Sequence, residues 1–210
     1  MARTATQTRT TRPSADATRE RILDAALDLF SELSFDGATT REIAARAGVT
    51  QPLLNYHFSS KDELWRAAVG RLFEALTSAM STRSEGLRGV DELTVARLLI
   101  REFVHFSASH PQLHRIITQE CKTDGRRMDW LVEQHIRPLY ESTTAMFERL
   151  VEQGHLRDIP VAHLYYLVTG AGPTMFVLAP ECRRLTGIDP SAPEVIEAHA
   201  DAVCLFLFGR

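Results

Sequence analysis

Residues 39–58, Thr39 through Phe58, carry the pattern of two short helices joined by a tight turn. Thr39 with Glu42 three residues later is a capping box, so the first helix is expected to start at Thr40. Ile43 and Ala44 face inward on it, and Ala44 and Ala47 are small enough for a second helix to cross closely. Gly48 falls where the chain must reverse, and glycine takes a left-handed backbone there without steric cost. Thr50 is placed to cap the next helix, and Pro52 falls in its first turn, where a missing N–H does no harm. Leu54 is the inward anchor, which leaves Thr50, Gln51, Leu53, Asn55 and Tyr56 facing out. By itself the segment admits two readings. One is an ordinary helical hairpin with a solvated face; the other is a helix offered to the DNA major groove, where Gln, Asn, Thr and an aromatic can meet base edges and phosphates.

The flanks favour the second reading. Ile22, Ala25, Ala26, Leu29, Phe30 and Leu33 recur at helical spacing and predict an amphipathic helix over about residues 18–33, ended by a turn at Phe35-Asp36-Gly37. Downstream, Ser60 and Glu63 form a second capping box, from which Lys61 to Trp65 opens a long helix. Three helices, the second pair forming a helix-turn-helix, are therefore expected over 18–63.

With these residues in view, the run from Arg21 to Phe30, then Gly37 to Ala44, then Gly48 to Leu64 resembles the N-terminal domain of TetR-family transcriptional regulators, without gaps over roughly residues 17–70. The resemblance implies a dimeric DNA-binding regulator, most often a repressor released from its operator by a small molecule. Matching positions give phosphate contacts to Thr40, Arg41, Thr50, His57 and Lys61, while Gln51, Pro52, Leu53, Asn55 and Tyr56 lie on the groove-facing helix. One position departs from the family's pattern: an aromatic is common where this chain has Asn55, which leaves open which side chain makes the usual tyrosine contact to phosphate.

Composition agrees with this outline. At 210 residues and 44% hydrophobic content the chain can bury a core beyond the small head. No run of about 18 apolar residues is present to span a membrane, and residues 1–17 read as a basic arm rather than a secretory signal. Cys121, Cys182 and Cys204 lack metal-like spacing and are odd in number, as suits reduced thiols in a cytoplasm. The formal net charge of −3 is low for a DNA binder, yet residues 1–71 hold ten Lys/Arg against nine Asp/Glu, so the acidic excess belongs to the rest of the chain. Local placement of charge, not the total, governs phosphate contact.

Residues 64–210 continue as helix. Leu93 to Phe106 is amphipathic after a turn marked by Gly86 and Gly89; Pro111 starts the next helix, broken at Asp124-Gly125. A long helix is expected from about Arg127 to Gln153, kinked at Pro138. Val161 to Leu178 is almost wholly apolar, a Pro/Gly-rich connection follows from Pro180 to Pro193, and Glu194 to Phe208 is the last helix. No alternating strand pattern of useful length appears. The expected fold is all-α: a three-helix head over 18–63 and a larger helical ligand-binding and dimerisation domain over 64–210.

That body is expected to host two tasks. The first is self-association, because reading two half-sites one DNA turn apart needs a two-fold protein. The final helices, with Val195, Ala198, Val203 and Phe206, are unusually apolar, and family dimers pair their last helices into a four-helix bundle; packing of these residues inside one subunit is the alternative. The second is sensing. The family resemblance implies a cavity between helices, for which Phe103, Phe106, Ile117, Cys121, Trp130, Tyr140, Phe147, Tyr166, Met175 and Phe176 are candidate lining and His105, His114, Glu120 and His135 candidate polar anchors. Each aromatic can equally be plain core. Such a lining suits a hydrophobic or amphipathic ligand.

No cofactor or metal is expected. His110 and His114 have the i, i+4 spacing of a metal pair, but no third ligand accompanies them, and two solvent-facing histidines account for the pattern. No catalytic serine elbow or phosphate-cradling glycine loop is present. The chain's partners are thus double-stranded DNA with a palindromic operator, a second copy of itself and a small effector. A ligand-independent architectural DNA-binding protein with the same head is the competing function, and a helical enzyme carrying a helix-turn-helix is the third.

Overall fold

The computed structural model describes residues 15–85, 87 and 89–209, and among these every regular element is helical. The expected arm over 1–17 lies largely outside the described residues, as does Gly86, while Ala15 to Ala17 form the first turn of α1. The chain divides into two compact units, the first ending at Ala68 and the second beginning at Val69.

The first unit contains α1 (Ala15–Gly37), α2 (Thr40–Arg46), α3 (Gln51–His57) and the opening turns of α4 (Lys61–Glu85). The apolar face of α1 is buried as its spacing requires, with Ile22, Leu23, Ala26 and Phe30 almost inaccessible. Leu33, expected to face inward, is 45% exposed. The cause is a bend at Ser34, which takes a left-handed φ of 64°. The bend ends the regular helix one residue beyond Leu33 and turns Phe35 toward the core, where it stacks on Phe30 at 5.9 Å and meets the edge of Trp65 at 6.3 Å. Gly48, at φ 65°, makes the reversal between α2 and α3.

The second unit is built from the rest of α4, α5 (Glu92–Ser109), α6 (Pro111–Glu120), α7 (Arg126–Leu131), α8 (Arg137–Glu152), α9 (Val161–Val177), α10 (Ala179–Thr186) and α11 (Pro193–Phe208). Its core is a contiguous cluster from α5, α8, α9 and α11, centred on Ile100, Val104, Phe147, Leu150, Val168, Phe176, Ala200 and Val203. At Gly172 the crossing of α9 over α5 is so close that a Cβ would stand 2.9 Å from the Phe103 ring, so any larger residue would have to displace that ring.

Two expectations for this unit are corrected. The single helix over 127–153 is two α-helices joined by a π-helical turn, Val132–Ile136, in which the Arg137 N–H donates to the Val132 carbonyl. Pro138 is the second residue of α8; its ring crowds the carbonyl four residues back in a regular α-helix, and the wider turn relieves that crowding. The connection from Pro180 to Pro193 contains α10, which Pro180 initiates rather than breaks, since proline suits a first turn. Gly187, at φ 73°, closes it.

Candidate functional site

The head places its polar face through local chemistry. Thr39 Oγ1 accepts the Glu42 N–H at 3.2 Å, and the Glu42 carboxylate accepts the Thr39 N–H at 3.1 Å, so the expected capping box at α2 is complete. The Thr39 hydroxyl, which donates to the Glu42 carboxylate at 2.7 Å, and the Thr39 N–H together hold the Glu42 carboxyl below its ordinary pKa. The box expected at α4 is shifted by one residue: Ser60 Oγ accepts the Glu63 N–H at 3.1 Å, but the Glu63 carboxylate takes its N–H from Ser59, at 2.8 Å. Thr50 occupies the N-cap of α3 with an extended backbone, yet its hydroxyl makes no capping bond, a correction to the expected cap. α3 is tied instead by its buried Leu54, 1% exposed, and by a weak contact from Gln51 Nε2 to Thr40 Oγ1 at 3.5 Å.

This arrangement turns Thr50, Gln51, Pro52, Leu53, Asn55 and Tyr56 outward, and Tyr56 is 82% exposed. Arg41 is exposed on α2, Thr40 is half-buried at its start, and His57 is half-buried against Tyr56, ring centroids 5.3 Å apart. Lys61 sits at the first position of α4, and its Nζ lies 4.5 Å from the Phe35 ring centroid, a cation–π contact that holds its charge at the start of the helix. The ten candidates therefore fall on the short stretch from the start of α2 to the start of α4. Sequence reasoning missed Arg46, which grips Glu32 of α1 through two 2.9 Å contacts and braces α2.

The second unit holds an apolar cavity of about 360 Å³. Its wall is made by Leu76 and Met80 of α4, Val95, Leu99, Ile100 and Phe103 of α5, Leu139, Met146 and Phe147 of α8, and Tyr165 and Val168 of α9, with Ser142, Thr143 and Thr169 as hydroxyls and Glu92 and Arg149 as the charged pair. Of the expected lining, Phe103 and Phe147 are there. The others lie elsewhere: Phe106 is buried and stacks on His110 at 4.3 Å, Trp130 meets His135 edge-on at 4.7 Å, Tyr166 is 72% exposed, Cys121 is exposed in the turn after α6, Phe176 is core, and Ile117 and Met175 are half-buried outside the cavity wall. Tyr140 is not in the wall but meets the lining residue Tyr165 edge-on, ring centroids 4.9 Å apart.

The expected polar anchors are engaged elsewhere too. His105 faces Glu197 at 3.2 Å, and Glu120 takes Arg127 at 2.7 Å. His135 stacks on Phe73 at 4.5 Å, and burial lowers its pKa. His114 is not solvent-facing: its Nε2 lies 3.1 Å from Ser107 Oγ, whose own hydrogen goes to the Phe103 carbonyl at 2.7 Å, and burial pushes its pKa down to about 4. With His110 stacked on Phe106, the metal pair is not assembled, and among the described residues no cluster of three metal-ligating side chains occurs. The signal for the true lining was a stripe at helical spacing on α5 (Val95, Leu99, Phe103), which periodicity alone cannot tell from core.

On the last helices, Phe206 and Leu205 are 66% and 56% exposed, Ala198 is exposed and Val195 half-buried. Val203 is not part of that outward face; at 4% exposure it belongs to the core of its own chain.

A three-helix head that buries its recognition helix by one leucine and turns out a polar, aromatic-tipped face defines a helix-turn-helix DNA-binding regulator. Comparison with known proteins gives the family. The model for bacterial regulatory proteins of the tetR family matches residues 22–68, and that for the tetracyclin repressor-like C-terminal domain matches residues 94–206, more than half of the chain. The chain belongs to the TetR family of transcriptional regulators. It is similar to the HTH-type transcriptional regulator RutR of Escherichia coli K12, 26% identical over 174 residues that cover 83% of this chain and 81% of RutR. Among solved structures it resembles a TetR-like transcriptional regulator from Rhodococcus sp. RHA1, with a TM-score of 0.67, 24% identity and coverage of 92% and 94% of the two chains. It also resembles AibR in complex with isovaleryl coenzyme A and operator DNA, with a TM-score of 0.67, 16% identity and coverage of 91% and 98%. Among the described residues, no single helix is long and apolar enough to cross a membrane.

Proposed function

We propose that this regulator is a cytoplasmic homodimeric repressor that holds a palindromic operator and leaves it when a small, largely apolar effector fills the body. It acts through binding rather than turnover. The observation that carries the DNA assignment is the geometry of α3: Leu54 takes its inner side, and Gln51, Leu53, Asn55 and Tyr56 share the outer one. These four meet the groove, and Thr40, Arg41, Thr50, His57 and Lys61 hold the flanking phosphates. Exposed Tyr56 stands next to Asn55, so the phosphate or base contact of an aromatic is supplied from position 56. The effector site is the cavity beside Phe103 and Phe147, its volume at the lower end of the range for small-molecule sites. AibR, a protein of the same fold, is captured with isovaleryl coenzyme A, which supports a small-molecule site in this fold. Exposed Tyr166 and Leu167 on α9 and Leu205 and Phe206 on α11 form the face through which two copies pair.

The test is gel retardation on the palindrome recovered by footprinting. Tyr56→Ala weakens operator binding by about tenfold to a hundredfold. Its unfolding midpoint stays unchanged, because an 82% exposed side chain contributes little to packing. Unaltered operator affinity in Tyr56→Ala and Lys61→Ala alike overturns the groove assignment.

A further inference from the structure

Resting on the reading of the body as an effector site, the cavity's polar groups define the charge of what it accepts. Only Glu92 and Arg149 are charged among its lining residues, and they are committed to each other: Arg149 Nε donates to Glu92 Oε1, and Gln153 Nε2 donates to the second carboxylate oxygen at 2.9 Å. The bonds from Arg149 and Gln153 hold the Glu92 carboxyl below its usual pKa, so the pair remains ionised and its net charge is zero. The positive end of α5 is taken as well, since the Asp91 side chain accepts the Thr94 N–H at 2.9 Å and Glu92 occupies the first turn. Two of the lining hydroxyls are committed as donors: Ser142 Oγ donates to the Leu139 carbonyl at 3.1 Å and Thr169 Oγ1 to the Tyr165 carbonyl at 2.9 Å, so these two offer lone pairs to a guest, and the neutral hydroxyls of Thr143 and Tyr165 add no charge.

We propose that the effector is a compact, uncharged, mostly apolar molecule bearing a hydroxyl or N–H donor, and that Glu92 excludes carboxylates and phosphorylated thioesters by neutralising Arg149. An anion entering this space loses its hydration against apolar walls and finds no uncompensated cation. A neutral donor loses little and gains an acceptor. The ligand class thus differs from the coenzyme A thioester held by AibR, a protein of the same fold.

The experiment uses the full-length protein and a pair of probes with matching tails, 1-octanol and octanoate at pH 7.5, followed by thermal shift and by equilibrium dialysis. 1-Octanol is expected to bind at least about a hundredfold more tightly than octanoate to the unaltered protein, as desolvation of an unpaired carboxylate requires. Glu92→Gln frees Arg149 and narrows that ratio by about tenfold or more through gained octanoate affinity, and Glu92→Leu does the same should the amide prove disruptive. Leu99→Trp, which fills the cavity, removes octanol binding and distinguishes it from adsorption elsewhere. Octanoate binding the unaltered protein as well as octanol, abolished by Leu99→Trp, overturns the charge inference while leaving the effector site intact. An unchanged ratio in both Glu92 variants overturns the role of Glu92. Failure of both probes in every variant, or octanol binding that survives Leu99→Trp, overturns the effector site itself and the charge inference with it.

Discussion

The two units of this protein reach order by opposite routes. In the first, short-range devices place the important side chains: a complete capping box at Thr39, a left-handed glycine at position 48, a proline in the first turn of α3 and one buried leucine. The residues proposed to meet DNA are then the ones left over, pointing away from the packing. In the second, the side chains that matter come from four helices distant in sequence, and the same residues both line the cavity and build the core. Phe103 and Phe147 touch the cavity with one face and the core with another. The head can therefore lose function without losing stability, and the body cannot.

The sharpest way to break that contrast is Phe147→Ala. The side chain is 1% exposed, packs in the core and lines the cavity. Its truncation is expected to cost about 3–5 kcal/mol of unfolding free energy, since the surrounding helices relax only partly around the void. Chemical denaturation measures this, and effector response should change in the same variant. A Phe147→Ala protein with wild-type stability and altered response would show that the body separates its roles as the head does.

The same contrast explains what could be seen in the residues beforehand. The helices and the turn of the head were legible because caps, turn glycines and a 3.6-residue period act over four or five positions. Leu33, turned outward at the bend, the box at α4, shifted to Ser59, and Thr50, whose backbone caps α3 while its hydroxyl does not, are the departures. In the body, helix existence and length were visible, but lining was not. Trp130 and Phe106 look as suitable as Phe103 in sequence; only the crossing of helices decides which aromatic faces a void. α10 was hidden for a related reason, because Pro180 reads equally as a breaker or as a first-turn residue.

His114 offers a second, somewhat smaller effect on the body. Its spacing from His110 suggested solvent or metal, whereas the fold buries it beside Ser107 with its pKa lowered from 6.5 to about 4 by lost hydration. The folded form thus resists a proton that the unfolded chain accepts. The contribution of neutral His114 is present above pH 6.5 and is lost as pH falls from about 6.5 toward 4, by an amount on the order of 3 kcal/mol, with no further change below. Comparing the pH dependence of unfolding for the wild type and His114→Gln isolates this from carboxylates that titrate in the same range. Parallel curves over that interval would mean that the site admits the proton, and with it water.

Thr39→Ala is the mildest perturbation and the most direct probe of local order in the head. It removes the hydroxyl that accepts the Glu42 N–H and leaves that donor to water, at a cost of about 1 kcal/mol. Because the box acts over one turn, the loss should fall on α2: amide exchange speeds up across Thr40–Arg46, while α5 and α8 keep their protection. Operator affinity should drop only slightly, since the outward residues of α3 are held by Leu54 rather than by the cap. Loosening that spread equally into the helices around the cavity would mean that Thr39 supports long-range packing, and the division between a locally ordered head and a globally ordered body would no longer describe this protein.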